Sequence, residues 1–339
     1  IDKTIEKVGD QSGLYEWRAI FLATLDRRQE ALAALAKLRE LNPSLAWREG
    51  TFEEILVHSY GLLAPNDRRL GEAVDYLRER AKTNDTLSPS LIRWASEWVP
   101  AAMCGTDNLP GTVFVSDLPW VRSTCGWGSP VAARNSNHWS GTILIDRLPY
   151  ALGIYTNAFD DAQPADVVLD VTGQEFSTFK AQVGLPEANG SVQYQVLVDG
   201  NIRCETAVLR AGMLRSLEVD VAGAKEIVLR VLNGGDGNAS DSAAWGFARL
   251  LRADAVDPLE EPPAERRSAT EANAAFFLAE VHWRLDHKEL ARRWYDKAVA
   301  WMETNKTEDE KLRGYRDEAA KLLGIVGKPA TTKEQGEKP

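Results

Sequence analysis

The chain has 339 residues, of which 44% are hydrophobic, 27% charged and 8% aromatic, the composition of an ordinary folded protein. At roughly 100 to 200 residues per domain, this length predicts two or three domains. Asp and Glu number 50 against 40 Lys and Arg, so the formal net charge is −10. Such a chain offers no global positive field, and we expect neither nucleic acid nor an anionic membrane surface as a partner.

No targeting or membrane segment is recognised in the sequence. The longest apolar runs, such as 143–145 and 167–169, are far shorter than the roughly 18 residues that a membrane helix needs, so we expect no membrane insertion. Residues 1–13 have neither the basic start nor the apolar core of a signal peptide, which leaves the localisation unknown. Because the chain begins at Ile1, we read it as a piece of a longer polypeptide with room for a catalytic domain upstream.

Residues 1–108 are predicted to be helical. Leucines recur three or four positions apart over 14–41, which is the pattern of an amphipathic helix, and an Asn-Pro pair ends it. Thr51 followed by Glu54 forms a capping-box pattern at the start of a further helix. An apolar, Trp-bearing segment comes next and is expected to end at Pro100.

From 110 to 253 the hydrophobic period changes to that of short strands. The runs 176–183 and 192–198 alternate apolar and polar residues, as half-buried strands do. The pair Asp199-Gly200 after the second run predicts a hairpin turn. At least seven such strands at short spacing predict a β-sandwich.

The last part of the chain is predicted to return to helix. The acidic, proline-rich stretch 254–266 predicts an extended linker. Over 267–326, apolar residues recur at i, i+4, i+7 and i+11 from Ala291, and a further helix is expected from Glu308 to Leu323. The tail 327–339 has no apolar stripe and is predicted to be disordered.

Small and aromatic residues stand at matching helical offsets in the two helical regions. They are Leu22, Ala31, Leu35 and Pro43 in the first region and Leu278, Ala279, Ala291, Tyr295 and Ala298 in the second. This register resembles the tetratricopeptide repeat of 34 residues, and the alternative is a generic helical hairpin. Under either reading the helices form a scaffold, and a protein partner could bind through it.

Short strings in a fixed order run through the β region. They are Val115-Ser-Asp-Leu-Pro-Trp120, Gly126-Trp-Gly128, Tyr150-Ala-Leu-Gly-Ile-Tyr-Thr-Asn157, Phe179-Lys-Ala-Gln-Val-Gly184, Val196-Leu-Val-Asp-Gly200 and Gly235-Asp-Gly-Asn238 leading to Trp245. In this order they resemble the NPCBM family, the novel putative carbohydrate-binding module. The resemblance implies a galactose-binding-like β-sandwich of a kind attached to glycoside hydrolases, some relatives of which bind galactose-containing glycans. The expected fold class is therefore multidomain α and β, with this sandwich flanked by tetratricopeptide-like helical segments.

Sugar recognition needs an aromatic face for the ring and fixed polar groups for its hydroxyls. Trp127 and Trp139 stand among Gly, Ser and Asn rather than in apolar runs, which favours loop positions and makes them the preferred platforms. Tyr155, Asn157 and Asn238 complete the predicted ligand-binding set.

A glycine-rich loop concentrates side-chain oxygens. Asp236, Asn238 and Asp241 fall within six residues, a donor set that suits calcium, although Gly and Asx residues also build plain turns. The spacing is not that of an EF-hand. Calcium is the one cofactor that the sequence suggests.

Catalytic motifs are absent from the sequence. It contains no HExxH or GxSxG string and no P-loop, so we do not expect the chain to be an enzyme. The sequence therefore predicts a non-catalytic carbohydrate-binding module on a helical scaffold. The alternative is a protein-interaction scaffold at the C-terminal end of a larger regulatory protein, because the string 291–301 resembles segments that trail bacterial serine/threonine kinases.

Overall fold

The computed structural model describes residues 1–43, 47, 49–59, 67–83, 88–104, 111–126, 131–138, 142–158, 163–186, 189–237, 240–255, 257, 259–260 and 268–325. The chain forms two compact units, Ile1–Arg266 and Arg267–Pro339. Helices and strands share the first unit, and the second is helical. None of the helices in the described ranges has both the length and the apolar composition that crossing a bilayer requires. The division of the chain into five parts stays a prediction.

Helices precede the strands in the first unit. Their bounds are α1 Asp2–Val8, α2 Ser12–Thr24, α3 Arg28–Leu41, α4 Phe52–Ser59, α5 Asp67–Lys82 and α6 Ser88–Cys104. The amphipathic pattern over 14–41 forms two helices rather than one. Asp26 adopts a left-handed backbone with φ 58°, which a right-handed helix cannot continue, so the chain turns back there.

Two sequence signals at helix ends have opposite outcomes. The cap at Thr51 is confirmed, since the backbone N–H of Glu54 donates to Thr51 Oγ1 at 3.1 Å. Glu54 Oε2 accepts from the backbone N–H of Gly50 at 2.6 Å, one residue before the one that a capping box uses. The end expected at Pro100 is wrong, because α6 continues through it to Cys104. A proline removes one helical hydrogen bond, and burial of α6 residues on both sides of it offsets that loss.

The strands form two antiparallel sheets and a separate two-stranded ribbon. Their bounds are β1 Thr112–Phe114, β2 Arg122–Ser123, β3 Ala133–Arg134, β4 Ile143–Ile145, β5 Leu148–Tyr150, β6 Gly153–Asn157, β7 Ala165–Asp170, β8 Phe176–Gly184, β9 Ser191–Val198, β10 Asn201–Glu205, β11 Leu209–Arg210, β12 Leu214–Asp220, β13 Glu226–Asn233 and β14 Ser242–Arg252. Sheet A has the order β12-β8-β14-β6-β3, with β1 paired to β14. Sheet B has the order β10-β9-β13-β7-β2, with β11 paired to β9, and the ribbon is β4-β5.

The sandwich core lies between the inner faces of the two sheets. Trp245 of sheet A, 1% exposed, meets the ring of Tyr194 from sheet B edge-on at 5.0 Å between centroids. The predicted hairpin is confirmed, since Asp199 and Gly200 have φ 49° and 78° and join β9 to β10. Both residues take the positive φ that tight hairpins require, and glycine does so without steric cost.

Helix α6 contacts the outer face of sheet A. Trp94 Nε1 donates to the carbonyl oxygen of Pro149 at 2.9 Å. Gln182 of β8 donates to the carbonyl oxygen of Arg93 at 2.8 Å and accepts from Tyr150 Oη at 2.6 Å. Strand β14 is consequently buried on both faces from Ser242 to Leu251.

A buried charge network joins α6 to sheet A. Arg249 donates through Nη2 and Nε to the carboxylate of Asp257, at 2.8 and 3.2 Å, and through Nη1 to Glu97 at 2.9 Å. Lys180 Nζ lies 3.4 Å from Asp257 and 2.5 Å from Glu260, so the start of the predicted linker is anchored on the sheet. Burial by itself raises the pKa of Asp257, but the charges of Arg249 and Lys180 outweigh burial and hold that pKa below its usual value.

The outer face of sheet B carries an apolar row beside a polar one. The apolar row runs directly across four strands and consists of Val168, Val228, Leu197 and Ile202. Ile202 is 53% exposed. In the adjacent polar row, Arg230 donates to both oxygens of Asp166.

The second unit contains α7 Ala269–Arg284, α8 Lys288–Asn305 and α9 Glu310–Leu322. Ser268 caps α7 by accepting from the backbone N–H of Glu271 at 3.3 Å, and Asp309 caps α9 by accepting from that of Lys311 at 2.9 Å. Phe276 of α7 meets Tyr295 of α8 edge-on at 5.7 Å, so the two helices pack through aromatic side chains. The predicted tail lies outside the described residues.

Candidate functional site

Strand β6 carries two of the predicted site residues into one hydrogen-bonded network. Tyr155 Oη donates to Ser242 Oγ at 2.9 Å, and Ser242 Oγ donates to Asn157 Oδ1 at 2.8 Å. The strand register places Ser242 opposite Asn157, so β14 and β6 hold these groups together. Tyr155 is 2% exposed and Asn157 5%, which places both inside the domain.

The network continues to a cysteine and a histidine. The backbone N–H of Asn157 donates to Cys125 Sγ at 3.2 Å, and Cys125 Sγ lies 3.2 Å from His138 Nε2. The His138 ring meets Tyr155 edge-on at 4.9 Å between centroids. Partial burial lowers the pKa of His138, which favours the neutral imidazole.

The other predicted ligand-binding residues, Trp127, Trp139 and Asn238, lie outside the described residues. One described residue near each tryptophan forms a hydrogen bond that fixes the chain there. Gly126, directly before Trp127, donates its backbone N–H to the carbonyl oxygen of Asn157 at 2.8 Å. Thr142 Oγ1, at the start of the strand that follows Trp139, donates to Glu16 of α2 at 2.9 Å.

Asp236 and Asp241, proposed as calcium ligands, both contact Ser191. Asp236 accepts from Ser191 Oγ at 2.5 Å and from Arg210 Nη1 at 2.9 Å, and these two hydrogen bonds lower its pKa. Asp241 Oδ1 accepts from the backbone N–H of Ser191 at 2.9 Å, and burial raises the pKa of Asp241. Its Oδ2 is buried and has no hydrogen-bond partner among the residues that the structure describes.

The described part of this loop does not supply the ligand set that calcium needs. The cation takes six to eight oxygen ligands, whereas both oxygens of Asp236 and one of Asp241 are already hydrogen-bonded within the protein. Across the part of the chain that the structure describes, no cluster of three or more His, Cys, Asp or Glu side chains could hold a metal ion. Asn238, the third predicted ligand, is not among these residues.

A shallow cavity of about 220 Å³ lies between β11 and β12. The residues that line it include Thr206, Val208, Met213, Arg215 and Leu217. None of the described residues that line it is aromatic, so they offer no flat face on which a sugar could stack.

Cys125, His138 and Ser242 were not singled out as site residues by the sequence analysis. Among the described residues Cys125 is a buried thiol outside any disulfide or cluster of metal-binding side chains. One signal was available: Cys125 stands two residues before Trp127, and His138 stands directly before Trp139.

Two antiparallel sheets packed face to face, with a buried polar network beneath one end of β6, define a β-sandwich domain. The family model of the NPCBM/NEW2 domain matches residues 111–251, which is the range from β1 to β14. These residues form an NPCBM/NEW2 domain.

Comparison with known proteins gives partial matches. The curated "Putative endo-alpha-N-acetylgalactosaminidase" of Renibacterium salmoninarum is 28% identical over 156 residues, which are 44% of this chain and 10% of that protein. A structure of the M60 catalytic domain with two CBM51 domains from Clostridium perfringens ZmpB is 30% identical, with a TM-score of 0.38, over 42% of this chain and 15% of that one. The CBM51 of C. perfringens GH95 in complex with methyl-galactose is 22% identical, with a TM-score of 0.37, over 41% of this chain and 99% of that one. These TM-scores are low, so the assignment depends on the family model.

Proposed function

We propose that residues 111–251 bind glycans without catalysis, and that the ligands are of the galactose type. The observation that carries the proposal is the NPCBM/NEW2 match, which spans the whole sandwich. It is supported by the curated relative, which is named as a putative endo-alpha-N-acetylgalactosaminidase. The chain covers only a tenth of that relative, so the activity of the larger protein is not transferred.

Each predicted ligand-binding residue has a proposed role. Trp127 and Trp139 supply aromatic faces for the apolar side of a sugar ring, and Asn238 supplies a polar contact. Tyr155 and Asn157 are buried and engaged with Ser242, so their role is to support the site from beneath.

The test is a titration of the full chain with methyl-galactoside, N-acetylgalactosamine and glucose, followed by calorimetry and Trp fluorescence. We expect the two galacto-configured sugars to bind and glucose to bind more weakly. Trp127→Ala and Trp139→Ala should each weaken binding about tenfold, the worth of one aromatic contact. Trp301→Ala, on α8 of the second unit, is the matched control and should leave affinity unchanged. If the wild-type chain binds none of these sugars, the proposal fails.

A second candidate function is protein docking through a helical scaffold, and one observation favours it. The turns α2–α3 and α7–α8 have the same backbone conformation, although they lie at opposite ends of the chain. The first residue of the turn has φ −83° in Leu25 and −82° in Leu285. The second has φ 58° in Asp26 and 65° in Asp286. The third has ψ 65° in Arg27 and 64° in His287. In each turn the last of these residues donates its backbone N–H, at 2.9 Å, to the carbonyl five positions before it. A repeated hairpin is the building unit of tetratricopeptide-like arrays, many of which bind other proteins.

Cross-linking and mass spectrometry of the natural full-length protein, purified with its partners, test this second candidate. Cross-links from a partner to α2–α3 or α7–α8 would support protein docking. Cross-links confined to the sandwich would contradict it.

A further inference from the structure

Helix α7 buries a histidine whose side chain forms no hydrogen bond within the described part of the chain. His282 is 3% exposed and lies in the last turn of the helix. Neither ring nitrogen, Nδ1 or Nε2, has a hydrogen-bond partner among the described residues, although both are shielded from water. A neutral imidazole leaves one donor and one acceptor unpaired there, whereas an imidazolium would leave two donors and a full charge. The surroundings of His282 therefore strongly favour the neutral ring.

The charges around His282 act in the same direction as burial. Its ring stacks on that of His287, the N-terminal cap residue of α8, with 5.7 Å between centroids and 29° between planes. Arg293 of α8 adds a positive charge, and no described residue of α9, the other helix packed on α7, acts on the ring. Burial is the largest influence, and with His287 and Arg293 it lowers the pKa of His282 to about 3.

One effect opposes this preference for the neutral ring. The C-terminal end of a helix carries partial negative charge and favours a nearby cation, typically by a factor of about five or less. A fall in the pKa of His282 from 6.5 to about 3 corresponds to a proton affinity lower by more than a factor of about a thousand. Burial and the neighbouring cations therefore outweigh the helix end.

This arrangement links the stability of the second unit to pH. In the unfolded chain the ring reaches water and has the ordinary histidine pKa of 6.5. In the folded unit, the pKa of about 3 keeps the same ring neutral in mild acid. Between these two values the open state binds one proton more than the folded state. The contribution to stability is therefore complete above pH 6.5 and falls as the pH decreases through this range.

We propose that His282 makes the second unit an acid-sensitive element, in which protonation of the buried ring requires α7 and α8 to separate. The inference goes beyond the proposed function and depends on no ligand. The trigger is the exposure of one imidazole to water, and the response is the opening of the hairpin that contains it. Mild acid is sufficient, because the open hairpin takes up the proton at the ordinary histidine pKa.

Hydrogen exchange of the full chain, followed by mass spectrometry, tests this opening. The slowest amides of α7 and α8 report opening of the whole unit, and protection factors correct their rates for the pH dependence of exchange itself. Between pH 7.5 and pH 5.5 we expect these protection factors to fall about tenfold, the change that one histidine with a depressed pKa produces. His282→Leu removes the titrating group and should abolish the fall. His282→Gln keeps a polar side chain that takes up no proton and should abolish it too.

Trp294→Phe is the matched control. Trp294 of α8 is 2% exposed, and its Nε1 likewise lacks a hydrogen-bond partner among the described residues, but the indole does not titrate. The variant changes the core of the same unit and should keep the tenfold fall in protection. A control that also lost the pH dependence would assign the fall to packing and overturn the proposal.

A second measurement follows the ring itself. In the folded full chain, the ¹³C NMR signal of the His282 imidazole, identified by its absence from His282→Leu, should keep its chemical shift from pH 7.5 to pH 5.5. A signal that titrates in this range while the protection factors stay constant would show that the ring is protonated without opening, which overturns the proposal. Constant protection factors in the wild type, or a tenfold fall that persists in both folded variants, would overturn it as well.

Discussion

Each sheet of the sandwich places an arginine on its outer face, and each arginine holds one aspartate with two nitrogen atoms. In sheet A the side chains of Arg249 and Asp257 are 1% and 3% exposed. In sheet B those of Arg230 and Asp166 are 28% and 6% exposed, at nitrogen–oxygen distances of 2.8 and 2.9 Å. The pairing chemistry is the same, and burial is what differs. The outer face of sheet A therefore lies inside the first unit, whereas part of the outer face of sheet B is exposed to solvent.

The largest effect is expected from removing what covers sheet A. A chain without residues 1–104 would expose the partners of α6, among them Pro149, Gln182 and Arg249, and each Å² of newly exposed apolar surface costs about 25 cal/mol. We expect the truncated protein to aggregate or to lose cooperative thermal unfolding, measured by size-exclusion chromatography and calorimetry. A monomer that unfolds at the temperature of the full chain would show that the sandwich is independent of the helices.

Next in size is the difference between the two arginines. Arg249→Ala leaves Glu97 and Asp257 buried without their partner and should lower the free energy of unfolding by about 3 to 5 kcal/mol. Arg230→Ala breaks a pair that water reaches and should cost about 1 kcal/mol or less. Guanidinium chloride denaturation measures both values. Equal losses in the free energy of unfolding would mean that burial does not change what each arginine contributes to stability.

Two tryptophans offer a smaller and closely matched contrast. Trp94 Nε1 and Trp120 Nε1 each donate to a backbone carbonyl at 2.9 Å, but Trp94 is fully buried against the β4–β5 ribbon whereas Trp120 is half-buried under Arg134 of β3. Trp94→Phe leaves the carbonyl of Pro149 buried and unpaired and should cost about 1 to 3 kcal/mol. Trp120→Phe should cost about 1 kcal/mol or less, since water can replace the lost donor. Thermal unfolding of the two variants decides the order.

The smallest expected effect is a change in stability with pH. The pKa of Asp257 is held below its ordinary value of 3.8 in the folded chain, so its charged form contributes stability above that value, and this contribution is lost as pH falls through the folded pKa. The stability difference between wild type and Asp257→Asn should therefore shrink below about pH 3.8, by no more than about 1.4 kcal/mol per pH unit. Denaturation from pH 5 downward measures it. A difference that grows on acidification would contradict the charged pairing.

The strands could be predicted because their signals are local. Alternation over 176–183 and the Asp199-Gly200 turn need only neighbouring residues, and the order of short strings identified the domain. The cover on sheet A could not be predicted, since Arg249 meets Glu97 across 152 positions and nothing in either sequence neighbourhood specifies the other. The sequence alone does not distinguish a buried arginine from an exposed one.

The site was only partly accessible to sequence reasoning. The resemblance led to Tyr155 and Asn157, which the structure brings together with Ser242. It did not indicate that both are buried, because burial depends on how β6 and β14 are covered. The contact of Cys125 with His138 depends on the path of a loop, which spacing alone does not reveal.

Strand β14 has a consequence for how the protein is made. It is the central strand of sheet A and pairs with β8, β6 and β1, yet it is the last strand of the domain to leave the ribosome. Until residue 252 has been synthesised, the earlier strands of this sheet lack their common neighbour, and α6 lacks its partner Arg249. Nascent chains that stall before this point would hold unpaired strand edges and an uncovered helix, both of which attract chaperones or aggregate. The order of synthesis thus delays closure of the first unit until its final strand is present.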